Sequence, residues 1–446
     1  MISLKKETSI GAKLWFSIIF FGLIGQIAWV VENMNFATFC QDIFANSGRS
    51  DLSYIVTTLM VILSAITATA TTIWAGAKCD RAGKRKPFIA IGYIVWGFTI
   101  AIFAILPMRV NDEMLFITGF ALVLFDCLMT FAGSTANDAA FNAWVADNTD
   151  TTNRGRVDAV LSMLPVFAVV IVFIVLGPLY SSTSTDNSLF FIVLGIIPTV
   201  SGIAALFILK DSSELEKRND NIVGDTFYGF RKDIIRENKM MYICLAAYCI
   251  VGISQQTFFS YLINFLVKTL GFGDSFAIPM AIIIVGSALM TGILGVLFDK
   301  FGRKNFYVPL LSLVIAGTFS FYLMKFTQGL AQNLILYIGG IIMMGSILSL
   351  TGALQAAFQD YIPKGFEGRF QGVRMCFTVL IPMIIGPVIS MIIGLDAMGM
   401  NGDDFAPTYT IFLAAAIVAL FGFVPMMKVK NDADRLRKTL TEEICT

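Results

Sequence analysis

Long apolar segments are the feature that most constrains this chain. A helix needs about 20 mostly apolar residues to cross a bilayer. Only 14% of the 446 residues are charged, whereas soluble domains carry about 25%. The sequence therefore predicts an all-α membrane protein with twelve transmembrane helices. The predicted spans are 14–38, 52–77, 87–108, 113–145, 157–180, 188–209, 240–265, 276–298, 305–325, 331–358, 370–395 and 406–427.

One long polar segment divides these spans six and six. Residues 210–239 are rich in charge and carry no apolar run long enough to cross a membrane. The predicted domains are an N-terminal six-helix bundle (1–209), a cytoplasmic linker (210–239), a C-terminal six-helix bundle (240–427) and a cytoplasmic tail (428–446).

The basic residues are distributed unevenly between the two ends of the spans. If both termini are cytoplasmic, 27 of the 32 Lys and Arg residues lie on the cytoplasmic side. Cytoplasmic loops carry an excess of Lys and Arg. The expected topology is a multi-pass protein of the cell membrane with both termini in the cytoplasm.

The two halves carry the same motif at corresponding turns. The first copy is Gly76-x3-Asp80-Arg81-x-Gly83-Lys84-Arg85, and the second is Gly295-x3-Asp299-Lys300-x-Gly302-Arg303-Lys304. Shorter sequence matches between the two halves follow this motif, and they occur in the same order in each half. This order indicates a duplication, with the halves related as parallel repeats about an axis along the membrane normal.

This twice-repeated motif resembles the signature of the major facilitator superfamily. The resemblance covers the whole chain and implies two six-helix bundles that give alternating access to one central site. It also implies that the motif is a conformational latch; the alternative is charge that only sets the topology. The candidate latch residues are Gly76, Asp80, Arg81, Gly83, Arg85, Gly295, Asp299, Gly302 and Arg303.

A second resemblance is narrower. The segments Asp138-Ala-Ala-Phe-Asn-Ala-Trp-Val and Lys84-Arg-Lys-Pro-Phe are similar to those of the glycoside–pentoside–hexuronide cation symporters, which include the melibiose permeases, and of the related sucrose-type carriers. That resemblance implies a sugar substrate and a coupling cation. The chain departs from the group in its second span, because 64–74 contains no carboxylate where the group's sodium site has two.

The first predicted span carries polar residues at helical spacing. Gln26, Trp29 and either Glu32 or Asn33 share one face. An aromatic ring beside amides and a carboxylate suits a sugar, since the ring packs on C–H groups while the polar groups pair with hydroxyls. The alternative is hydrogen bonding between helices around a packed tryptophan.

Carboxylates inside spans are the candidates for cation coupling. Such groups are expensive in a membrane and mark functional sites by default, and the chain contains no His that could carry a proton. The candidates are Glu32, Asp126 and Asp138. Depth in the membrane favours Asp126 and the family alignment favours Asp138, so the choice between them stays open. Asp126 could instead be a structural pair, and Asp138 a surface charge at a helix end.

The C-terminal half contributes further candidate substrate residues. Gln256, Ser260 and Asn264 follow each other at steps of four, which suits either a hydroxylated ligand or contacts between helices. Arg374 either faces the cavity or extends toward the cytoplasm.

No nucleotide-binding, hydrolase or metal-binding motif appears in a plausible context, so neither enzyme activity nor a cofactor or metal is expected. We expect a secondary active transporter that takes up a sugar or glycoside together with a cation, with H⁺ favoured over Na⁺. The alternatives are an exporter of drug-like molecules and a membrane sensor that does not transport. The expected partners are a small-molecule substrate and membrane lipid, without nucleic acid, and the protein is expected to be a monomer.

Overall fold

The computed structural model describes residues 11–149, 154–181, 186–211, 228–362, 370–401 and 405–429. These residues form helices and connecting turns, with no strand among them. Parts of the predicted linker (212–227) and of the predicted tail (430–446) lie outside the described residues.

Eleven helices in the described ranges are long and apolar enough to cross a membrane. The predicted span 157–180 corresponds to a further, shorter apolar helix, Met163–Leu179. The prediction of an all-α protein with about twelve membrane helices is therefore confirmed. The helices are α1 (Ala12–Asn46), α2 (Ser50–Ala82), α3 (Lys86–Ile105), α4 (Asp112–Asp147), α5 (154–179), α6 (Ser188–Ile208), α7 (Lys239–Phe259), α8 (Ala277–Phe301), α9 (Tyr307–Phe326), α10 (Leu330–Tyr361), α11 (371–401) and α12 (Thr410–Val429).

The chain divides into two compact units, residues 1–221 and 222–446. In the first unit α3 packs on α6 and α4, α1 packs on α5, and α2 packs on α4. In the second unit α9 packs on α12 and α10, α7 packs on α11, and α8 packs on α10. These four contacts join the same helices in both units, each shifted by six helices, which is the packing expected of a duplicated bundle.

Glycine lets α3 and α6 approach closely, because no side chain separates the two backbones. A Cβ atom built on Gly97 would lie 2.3 Å from the carbonyl oxygen of Gly195 and 2.7 Å from the backbone nitrogen of Thr199. Small residues at this crossing therefore hold the N-terminal bundle together.

Replacing Gly97 with Ala should destabilise the protein, since the new methyl group would meet backbone atoms that can move only with their helix. Overpacking of this kind costs about 1–3 kcal/mol. The melting temperature in detergent should fall. Gly76→Ala is the matched control, because a Cβ there would meet no heavy atom within 4 Å among the described residues. Equal melting temperatures for the two variants would contradict the proposed crossing.

Each unit has three π-helical turns among the described residues, and a turn of this kind inserts one residue into the α-helical register. In the first unit these turns lie in α1 (Val31–Phe36), α4 (Ser134–Phe141) and α5 (Val172–Leu176). In the second unit they are Phe265–Thr269, which follows α7, and turns in α10 (Ile335–Gly339) and α11 (Cys376–Leu380). Such an insertion rotates the residues that follow it relative to an uninterrupted α-helix, and the turns in α1 and α4 contain buried polar residues.

Candidate functional site

Glu32 lies in the π turn of α1 and points into the N-terminal bundle, where only 7% of it is exposed. Its Oε1 atom accepts hydrogen bonds from Ser64 Oγ of α2 and from Thr130 Oγ1 of α4, each at 2.7 Å. The two hydroxyl oxygens are 2.9 Å apart. One carboxylate oxygen therefore joins three helices.

Asp126 lies one turn before Thr130 on α4 and is 1% exposed. Ser64 is a hydrogen-bonding partner of Asp126 as well as of Glu32. We call Glu32, Ser64, Asp126 and Thr130 the acidic cluster. It brings together two of the three predicted coupling carboxylates.

The acidic cluster has more acceptor oxygens than donors. Glu32 Oε2 and Asp126 Oδ1 are both buried, and neither has a hydrogen-bond partner among the described residues. Asn35 Oδ1, three residues after Glu32, is also buried without a hydrogen-bond partner among the described residues. Arg85, just after the end of α2, is the one buried basic residue among the side chains that the structure describes. Unpartnered buried oxygens are costly, so this site is suited to a proton or another cation.

The other predicted residues of α1 lie on a different face from Glu32. Gln26, Trp29 and Asn33 are half-buried, and the Trp29 ring packs on Trp96 with the centroids 5.0 Å apart. The Asn33 amide donates to the Trp29 carbonyl at 2.8 Å. Of the two alternatives at this turn, Glu32 faces the interior, whereas Asn33 bonds to its own helix.

Asp138 is not bonded to the acidic cluster and lies in the π turn of α4, but it is close enough to Glu32 to interact with it electrostatically. It is half-buried and accepts a hydrogen bond from Ser134 Oγ at 3.1 Å. Twelve residues separate it from Asp126, which is about 18 Å along a helix axis. The preceding residue, Asn137, is buried and accepts from the Tyr93 hydroxyl at 3.2 Å.

The predicted residues of the second unit differ in burial. Ser260 and Asn264 are buried and follow a break at the end of α7, while Gln256 is half-buried where α7 meets α11. Arg374, in α11, is half-buried and close enough to Tyr248 of α7 to interact with it electrostatically. The α7–α11 contact therefore holds both Gln256 and Arg374.

The first copy of the repeated motif is organised around Arg85, which is 6% exposed. Its guanidinium pairs with Asp80 at 2.5 Å and with Asp147, at the end of α4, at 2.9 Å. Burial alone would lower the pKa of Arg85, but its bonds to Asp147 and Asp80 outweigh this effect and raise the pKa. Arg85 thus stays a cation that ties the α2–α3 turn to α4.

Asp211 meets the N-terminus of α3. Its Oδ1 atom accepts from the backbone N–H groups of Arg85 and Lys86 at 2.9 and 2.8 Å. We call Asp80, Arg85, Asp147 and Asp211 the Arg85 cluster. A carboxylate at a helix N-terminus is favourable. Asp80, the acidic residue of the motif, pairs with Arg85 instead.

The ion pairs of the two motif copies differ in how deeply they are buried. Gly83 caps α2 in the left-handed region (φ 59°), as its place in the turn predicts, while Arg81 is exposed. In the second copy Gly302 has φ 82°, and Arg303 pairs with Asp360 at 2.7 Å with side chains 37% and 64% exposed. A Cβ on Gly295 would meet no described atom within 4 Å, and the side chain of Asp299 lies outside the described residues.

Some buried polar residues were not predicted as site residues. Ser64 belongs to a stretch rich in Ser and Thr, and this composition was the available signal. Asp42 is fully buried near the end of α1, where its Oδ2 accepts from the Tyr180 hydroxyl at 2.9 Å. Nothing in the local sequence distinguishes Asp42 from a residue at the end of a span.

Several solved transporters have the same fold. A D-xylose–proton symporter superposes with a TM-score of 0.70 at 15% identity, covering 92% of this chain and 97% of the symporter. A bacterial homologue of the human lysosomal transporter Spinster gives 0.68 at 13% identity, with coverages of 95% and 98%. The nucleoside transporter NupG gives 0.67 at 13% identity, with coverages of 94% and 99%. At these identities the likeness concerns the fold alone.

One curated protein also matches part of the chain. Undecaprenyl-diphosphatase 1 of Shouchella clausii (strain KSM-K16) is 28% identical over 149 residues, which are 32% of this chain. The chain covers about half of that protein's length (52%). A match of this extent carries no activity over to this chain.

The sequence profile of the Major Facilitator Superfamily matches residues 14–387, which is most of the chain. This match agrees with the repeated motif, the two similar bundles and the solved structures described above. The chain therefore belongs to the Major Facilitator Superfamily and is a multi-pass membrane transporter.

Proposed function

We propose that this transporter takes up a sugar or glycoside together with protons, across the cell membrane and with both termini in the cytoplasm. The observation that carries the proposal is the acidic cluster, in which two buried carboxylates meet without a basic partner among the described residues. Ionising two adjacent carboxylates together in a low-dielectric interior is costly, because like charges repel strongly there.

The number of hydrogen atoms supports a proton at this site. Ser64 and Thr130 have one hydroxyl hydrogen each, and these two hydrogens have to serve contacts with Glu32 Oε1, between the two hydroxyls and with Asp126. Two hydrogens cannot fill all of these contacts. A proton on Glu32 or Asp126 would supply the missing donor. We infer that Glu32 and Asp126 share the coupling proton.

The half-buried side chains of α1 support a sugar substrate. Gln26, Trp29 and Asn33 are half-buried in one helix, and amide groups at helical spacing from an aromatic ring suit hydroxyl groups next to a C–H face. The fold is also that of a D-xylose–proton symporter. The rival function is export of a cationic drug-like molecule, which the same two carboxylates would bind as a counter-ion.

Uptake into proteoliposomes tests the proposal. An acidic exterior should drive accumulation of at least one labelled sugar from a panel, and an imposed Na⁺ gradient without a pH gradient should not. Accumulation driven only by Na⁺ would overturn proton coupling. Proton-driven efflux of an organic cation, without any sugar uptake, would favour the exporter.

A further inference from the structure

A groove runs between α3 and α4 on the outer surface of the N-terminal bundle. Its volume is about 320 Å³, and its lining is almost entirely apolar. Ile91 and Val95 of α3 form one wall, Phe131 and Thr135 of α4 form the other, and Gly92 lies at its floor beside Ala136. The large apolar side chains of both walls are exposed.

The length of the groove matches one leaflet of a bilayer. Its lining residues begin at Pro87, in the first turn of α3, and extend to Val95. Eight helical steps of 1.5 Å give about 12 Å, whereas half of the hydrocarbon core is about 15 Å thick. A membrane-spanning helix of a partner protein would need a surface of about twice this length.

Basic side chains lie at the end of the groove where α3 begins. The Lys78 amine lies 4.0 Å from the centroid of the Trp74 ring, and that ring packs on Phe131 in the groove wall. Lys84 and Lys86 closely precede Pro87 in the chain. The groove therefore has an apolar interior and a cationic rim at one end.

We propose that this groove binds an anionic phospholipid of the leaflet next to the α2–α3 turn. One acyl chain fills the space between α3 and α4, and the phosphate pairs with the amine of Lys78. The apolar lining fits an acyl chain, the depth fits a single leaflet, and the rim fits a negative headgroup. Neutral lipids would occupy the same groove more weakly.

Native mass spectrometry of the purified full-length protein tests this site. The probes are phosphatidylglycerol and phosphatidylethanolamine with identical acyl chains. For the first lipid molecule bound, the wild type should have a higher affinity for phosphatidylglycerol than for phosphatidylethanolamine. Lys78→Gln should weaken phosphatidylglycerol binding by about fivefold, the effect expected of one lysine near an anionic lipid, and leave phosphatidylethanolamine binding unchanged. Lys78→Arg should retain the preference.

Two further variants separate the groove from general surface charge. Val95→Trp places a large side chain on the exposed wall and should weaken binding of both lipids. Lys300→Gln removes an exposed lysine near the end of α8 in the other unit and should change neither affinity. Equal affinity of the wild type for the two lipids would overturn the proposal. An equal loss of phosphatidylglycerol affinity in Lys78→Gln and Lys300→Gln would overturn it as well.

Discussion

Glu32→Gln and Asp126→Asn should each abolish uphill accumulation of substrate while leaving exchange of substrate across the membrane partly intact. Net uptake needs one of these groups to gain and release a proton, whereas exchange moves no net proton. A gradient of one pH unit supplies about tenfold accumulation for each coupled proton. In the variants the accumulation ratio should fall to one.

Asp138→Asn is the comparison within the same helix. Asp138 is half-buried and lies outside the acidic cluster, so this variant should keep the accumulation that the other two lose. All three variants need measurement of their abundance in the membrane, since loss of a structural partner would remove folded protein instead. If Asp138→Asn alone loses accumulation, the coupling site is at Asp138.

Arg85→Gln should destabilise the protein strongly. The substitution removes the cation that pairs with Asp80 and Asp147, and these carboxylates would then face each other without it. Losing charged hydrogen bonds at a buried residue costs about 1–3 kcal/mol. Both carboxylates keep some contact with water, which holds the loss within that range. The melting temperature in detergent should fall clearly.

Arg303→Gln is the matched change in the second unit and should have little effect. Arg303 and Asp360 are 37% and 64% exposed, and exposed ion pairs contribute about 0–1 kcal/mol. The two variants remove the same charge from copies of one motif. Equal changes in melting temperature would contradict the view that burial at Arg85 makes the first copy the stronger one.

Much of the fold follows from the sequence because each spanning helix requires a long apolar segment. The boundaries are less predictable, since hydropathy does not mark where a helix ends. The first span was expected to end at 38, yet α1 continues through buried Gln41 and Asp42 to Asn46. These polar residues remain helical because protein surrounds them.

The candidate site was predictable only in part. A buried carboxylate in α1 and another in α4 were expected from their rarity inside spans. Helical spacing from Trp29 allows either Glu32 or Asn33, and only the packed structure shows that Glu32 is the buried one. The role of Ser64 and the contact of Asp211 with α3 depend on tertiary packing, which a single sequence does not specify.

The π turns also carry a historical consequence. Two halves that descend from one gene would inherit an insertion at the same depth in corresponding helices. The turn Ser134–Phe141 lies near the end of α4, whereas Ile335–Gly339 lies near the start of α10. The simplest account is that each half acquired its own insertions after the duplication.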